Sequence, residues 1–116
     1  MSFVNERKED GTWQTIDRER NIVLRYLGGG RPQEPIEFNL CIEGKDFLFY
    51  AFQKTNRLKS GKLHVDWRVV KIFHLPPTES DKAKLRCVIE EALESFGFAS
   101  SRENVETLSV TFAHNL

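Results

Sequence analysis

His64, Asp66 and Arg68 stand at alternate positions in "LHVDWRVVKIFHL", and their types are those that acid–base chemistry uses. On a strand, residues two apart share one face. An aspartate beside a histidine can orient the ring and favour its charged form. An arginine in the same row can hold an anion. A reaction needs further parts, and the sequence does not supply them. There is no identifiable nucleophile, no third metal ligand and no glycine-rich cradle opening a helix. "GGGRP" lacks the Gly-Lys-Ser/Thr ending of a phosphate loop and runs into a strand, so Arg31 is its one residue of interest. His74 and His114 add no pattern. Polar residues at alternate positions are also how a solvent-facing strand reads. The chain therefore points away from an enzyme. A small-ligand or catalytic site around His64, Asp66 and Arg68 is the third of three readings.

A second group lies just upstream. Lys54, Arg57, Lys59 and Lys62 carry positive charge with no acid between them. They follow "KDFLFYAF", Lys45–Phe52. Lys45, Phe47, Phe49 and Phe52 resemble the basic and aromatic positions of the RNA-recognition motif. Asp46 and Leu48 do not match its two small positions. That fold places helices early and directly after the motif strand, whereas strands lie on both sides here. The resemblance covers eight residues. Phe47 and Phe49 also alternate in step with Ile36, Phe38, Leu40 and Ile42, which predicts a buried face. The opposite face carries Asn39, Cys41, Leu48, Tyr50, Phe52 and Lys54. A half-apolar face of this kind needs a cover or marks an interaction surface. Three covers compete: the N-terminal hairpin, a second copy of the chain, and a peptide, small molecule or nucleic acid.

The elements that position these residues can be read along the chain. Residues 1–10 are polar and expected to fray. "TWQTIDRERNIVLRYLGGG" reads as two strands around a turn near Arg18–Asn21. Gly28–Pro35 is a loop. Ile36–Ile42 alternates cleanly. A Gly44–Lys45 turn would pair Ile42 with Phe47, Leu40 with Phe49 and Phe38 with Ala51. Leu63–Leu75 is a long strand whose alternation blurs after Val69–Val70, the mark of a bulge or of cover on both faces. Pro76–Pro77 then ends it. A helix starts with Thr78 or Ser80 as its N-cap and Glu79 and Asp81 in its first turn. Leu85, Val88, Ile89, Ala92, Leu93 and Phe96 fall on one side of that helix. Gly97 reads as its C-cap. "VETLSVTFA" is a last strand.

These elements predict an α+β domain spanning residues 1–116, with a mostly antiparallel sheet of about six strands. One amphipathic helix, residues 79–96, packs on one face. With 40% hydrophobic residues and nine Phe, the chain can build its own core. Cys41 and Cys87 show no metal spacing and are placed on surfaces pointing apart, so no disulfide, metal or cofactor is expected. The formal net charge of zero excludes steering by a whole-protein field. No run approaches the ~20 apolar residues of a membrane span. The charged N-terminus does not resemble a signal peptide, so a soluble cytoplasmic domain without membrane partners is the expectation.

The sequence names no substrate and no partner. It favours a non-catalytic binding domain whose partner is a protein, self-association through a sheet face included. The acidic helix side, Glu90, Glu91 and Glu94, is separate from the basic turn, which suits selective pairing at zero net charge. The second reading is a single-stranded nucleic-acid binder using Tyr50, Phe52 and the basic turn 54–62.

Overall fold

The computed structural model describes residues 3–100, 104–114 and 116. Seven strands form one sheet whose spatial order is the sequence order. They are β1 (Val4–Arg7), β2 (Trp13–Asp17), β3 (Ile22–Gly29), β4 (Ile36–Ile42), β5 (Lys45–Arg57), β6 (Leu63–Ile72) and β7 (Val105–Phe112). Neighbours from β1 to β6 are antiparallel, and β7 lies parallel to β6. A parallel neighbour cannot be reached by a tight turn. The helix α1 (Glu79–Ser100) supplies the crossover and packs on one face. The α+β expectation holds, with β1 as the strand beyond six. Four residues, only Val4 of them apolar, gave β1 little signal. It forms because Phe3, just before it, is buried in the core, and Asn5 Nδ2 donates to Ser95 Oγ at 3.1 Å.

The face under α1 is the core. Phe38, Leu40, Phe49, Val65, Trp67 and Val69 are fully buried, opposite Leu85, Ile89, Ala92, Leu93 and Phe96 of the helix. Phe38 is the hub. Its ring lies 5.2 Å from Phe49, 5.2 Å from Phe96 and 5.7 Å from Trp67. Phe47 and Phe49 are thus core residues, and their resemblance to a base-stacking strand has no surface counterpart.

Three details differ from the sequence reading. The β4–β5 turn is Glu43–Gly44, with φ of 50° and 83°. Positive φ at both central residues is the type I′ geometry that fits the twist of a hairpin. Ile42 therefore pairs with Lys45, Leu40 with Phe47 and Phe38 with Phe49. The register moves by two residues, so every side chain keeps its face. Next, Gly97 is not a cap: α1 runs on to Ser100, and Gly97 is buried within it. A Cβ there would lie 2.4 Å from Leu108 Cδ1 and 2.8 Å from Trp67 Nε1. The missing side chain lets the helix approach β6 and β7. Finally, the N-terminal hairpin, β2–β3, lies in the sheet beside β4 with β1 beyond it, and does not fold over the outer face.

The N-terminus of α1 matches expectation. The Asp81 amide donates to Thr78 Oγ1 at 3.1 Å, and Thr78 Oγ1 donates back to Asp81 Oδ2 at 2.8 Å. The β2–β3 turn is tied to the helix by Arg20, which pairs with buried Asp17 and with Glu91 at 2.6 Å. Burial works to raise the Asp17 carboxyl. The Arg20 side-chain and backbone hydrogen bonds and its charge outweigh burial and hold the carboxyl below its ordinary value of 3.8. A carboxyl lowered by folding stabilises the fold fully above that ordinary value and loses its contribution as pH falls through the lower folded-state value. Below pH 4 the melting temperature should fall, and Arg20→Gln should flatten that acid limb while lowering the plateau at neutral pH. An acid limb of unchanged steepness in Arg20→Gln would detach the effect from this pair.

Candidate functional site

The outer face of the sheet is open among the described residues. The cross-strand register builds it row by row. Glu37, Tyr50 and Lys71 form one row; Phe52, Arg68 and Thr111 the next; Lys54, Asp66 and Ser109 a third; Asn56, His64 and Thr107 a fourth. Seven of the nine candidate positions can be judged against these rows. Tyr50, Phe52, Lys54, His64, Asp66 and Arg68 are brought together on one face. Arg57 is not: it pairs with Leu63 on the helix side of the sheet, and its Nη1 donates to the Gly61 carbonyl at 2.8 Å. Lys59 and Lys62 are exposed in the β5–β6 turn, beyond the rows. The basic turn and the aromatic face are therefore less united than the sequence suggested.

Phe73 and Lys71 belong to the surface and were missed. Val69 and Ile72 are three residues apart yet both face the core. Strict alternation forbids that, and a register shift solves it: Ala51 pairs with Val69 and Tyr50 with Lys71, leaving Val70 as the extra residue. The bulge turns Lys71 and Phe73 outward. Phe73 then meets Tyr50 edge-on at 5.2 Å, and Lys71 Nζ lies 4.6 Å from the Phe73 ring centre. The readable signal was the odd spacing of Val69 and Ile72 in an otherwise alternating strand.

Tyr50 and Phe52 carry the apolar part of this surface, with half-buried Leu48 beside them; Phe52 is 38% exposed. The Tyr50 phenol and the Glu37 carboxylate are cross-strand neighbours. Hydrogen bonding to that carboxylate, with burial and the carboxylate charge, holds the phenol above its ordinary value. Tyr50 is therefore a neutral, oriented ring at neutral pH. A shallow concavity of about 400 Å³ opens next to it, lined by Leu27, Gly29, Glu34, Pro35 and Glu37. Its wall needs Gly29, whose φ is 93° and whose added Cβ would lie 2.4 Å from the Pro35 carbonyl oxygen.

The histidine row has a defined hydrogen-bond pattern. Ser109 Oγ donates to Asp66 Oδ1 at 2.7 Å and lies 3.3 Å from His64 Nε2; His64 Nδ1 lies 2.7 Å from Thr107 Oγ1. A hydroxyl has one proton. Ser109 gives its proton to Asp66, so its contact with His64 has Nε2 as the donor. The ring then cannot accept the Ser109 proton, which is what activating a serine requires. Asp66 holds the hydroxyl and not the imidazole. The group fastens β7 to β6 across their shared face. The concavity beside Tyr50 touches none of His64, Asp66 and Arg68, and neither does a second one lined by Phe3, Glu91, Glu94, Ser95 and Phe98. Among the described residues no group of three or more His, Cys, Asp or Glu could hold a metal ion. Cys41 and Cys87 are both free thiols, half-buried and exposed respectively. No described helix is long and apolar enough to cross a membrane.

No family model, no curated protein and no solved structure matches the chain.

Proposed function

We propose that this domain binds another protein through the outer face of its sheet. The observation that carries the reading is that the N-terminal strands continue the sheet, so that among the described residues no element covers Leu48, Tyr50, Phe52 and Phe73. Large aromatic side chains ringed by charges are what a contact surface needs: apolar area at the centre and polar groups at the rim. Arg25, Lys54, Arg68 and Lys71 are mixed on this face with Glu37, Asp46 and Asp66. Such alternation favours a partner of matching pattern over a uniformly charged one.

One observation favours a second reading. Tyr50, Phe52 and Phe73 share their face with Lys54, Arg68 and Lys71, the pairing of stacking rings and phosphate-attracting charges that single-stranded nucleic acid uses. The acids on that face, Glu6 included, weigh against it.

Immobilised wild-type domain and Phe52→Glu, each exposed to nuclease-treated soluble extract, separate the two. Protein bound stoichiometrically by the wild type and lost from a folded Phe52→Glu is the expected result. Identical retention by both removes the face from consideration. Binding of a labelled oligothymidine that weakens steeply with salt, and fails in Lys54→Ala, would put the second reading first.

A further inference from the structure

The two edges of the sheet are guarded unequally. β1 has four residues, two of them charged, and Glu6 is held by Arg18. β7 has eight residues, and its only charge is Glu106 near its start. No lysine, proline or covering strand protects it among the described residues. Natural edges of this length are normally blunted by such devices. The segment after β7 does not serve as one: it turns back to the helix, where Arg86 Nη1 donates to the Leu116 carbonyl at 3.2 Å.

The direction of the free backbone groups follows from one bond. The Ala113 amide donates to the Val69 carbonyl at 2.9 Å. Backbone groups alternate sides along a strand. Ser109 and Thr111 therefore address β6, while Leu108, Val110 and Phe112 direct their N–H and C=O groups outward. We infer that two copies of this chain join through β7, antiparallel, about a two-fold axis at Val110.

The pairing is self-complementary. Val110 meets Val110 of the second copy, and Leu108 meets Phe112 in both directions. Each such pair exchanges two hydrogen bonds, about six in all. Leu108, Val110 and Phe112 are only half-buried at the open end of the core, and the pairing brings both sets together on the helix side. On the other side Ser109 falls opposite Thr111, a favourable hydroxyl pair. The two Glu106 side chains end about eight residue steps apart, roughly 27 Å at the antiparallel rise, so they do not repel. The zero net charge removes the wider repulsion between copies. A strand meeting its own copy closes after two chains. The result is a continuous sheet that leaves both outer faces free, which goes beyond the partner-binding reading above.

Light scattering of the full chain across a concentration series tests this. The expected mass is twice the 13.5 kDa of one chain. Thr111→Lys sets a charge on the edge, and Val110→Pro removes an outward N–H while sparing the bonds to β6. Each should weaken the dimer at least tenfold while the far-ultraviolet spectrum stays that of the wild type. Should Val110→Pro fail to fold, the exposed Thr111→Lys carries the test. Phe52→Glu should remain dimeric. A wild type that stays monomeric throughout overturns the inference, as does a dimer that survives Thr111→Lys. A dimer lost only in Phe52→Glu places the contact on the outer face and overturns the edge assignment. Masses that climb past two chains overturn the two-fold closure.

Discussion

Phe38→Ala should remove about 3–5 kcal/mol of folding stability, the range for truncating a fully enclosed aromatic ring. A domain of this kind holds roughly 5–15 kcal/mol in total, so the variant should sit near the edge of folding. The size follows from position. Phe38 has no exposed surface, and its ring touches those of Tyr26, Phe49, Trp67 and Phe96. These come from β3, β5, β6 and α1, so one deletion opens a void shared by four elements. The surrounding rings are rigid and cannot collapse into it. Phe52→Ala is the matched control, with the same chemistry on the outer face, and should cost less than about 1 kcal/mol by the ordinary behaviour of surface substitutions. Urea unfolding reads both. Equal midpoints for the two variants would mean that the helix does not discriminate between the faces.

Gly97→Val should be the second large effect, about 3 kcal/mol. A Cβ at this position meets Trp67 Nε1 at 2.8 Å. The indole cannot retreat, because Trp67 is fully buried between Phe38 and Phe96. Leu108 Cδ1, at 2.4 Å, ends a flexible side chain and can yield in part. Overpacking of this sort costs about 1–3 kcal/mol, and valine adds two methyls to a Cβ that is already too close to its neighbours. Alanine regains about 1 kcal/mol of helix propensity, so Gly97→Ala should lose only about 1 kcal/mol. Gly97→Asn is the informative partner. A glycine that ends a helix in the left-handed region is replaced readily by asparagine, whereas a glycine in a tight crossing is not. Thermal melts that place Asn near wild type would return Gly97 to a capping role. The close fit also has a cost: Trp67 Nε1 is buried there without a hydrogen-bond partner among the described residues. It lies so near Gly97 that even a Cβ there would come within 2.8 Å of it.

What the sequence could reveal followed from periodicity. Ile36–Ile42 and Leu63–Val69 alternate without interruption, and their buried sides came out as read. The helix announced itself through Leu85, Ile89, Ala92, Leu93 and Phe96. Gly97 was misread because a glycine after an apolar helical run signals a cap locally, and only the approach of Trp67 and Leu108 makes it a packing residue. The Glu43–Gly44 turn was placed one residue late because Glu43 adopts a positive φ that its own chemistry does not favour. Phe73 and Lys71 escaped notice because one inserted residue, Val70, reverses the parity of all that follows. The fate of the outer face lay beyond any single segment. Whether the N-terminal strands would cover it or extend the sheet depends on Phe3, Asn5 and Arg20 finding the helix, contacts that span up to ninety residues of chain.

Because spatial order repeats sequence order through β6, each of the first six strands can find its neighbour across a short loop. Low sequence separation of this kind speeds assembly. β1 can pair with β2 early and is fixed once Asn5 meets Ser95, whereas β7 must wait for a 22-residue helix to form and cross before it can dock at all. Loop closure over that distance sets its arrival last. For that interval β6 is the sheet's bare margin, with Val65, Trp67 and Val69 not yet roofed. The C-terminal third of the chain therefore acts as a latch. Amide exchange should show β7 opening at lower free energy than β4 and β5, and its release should precede global unfolding.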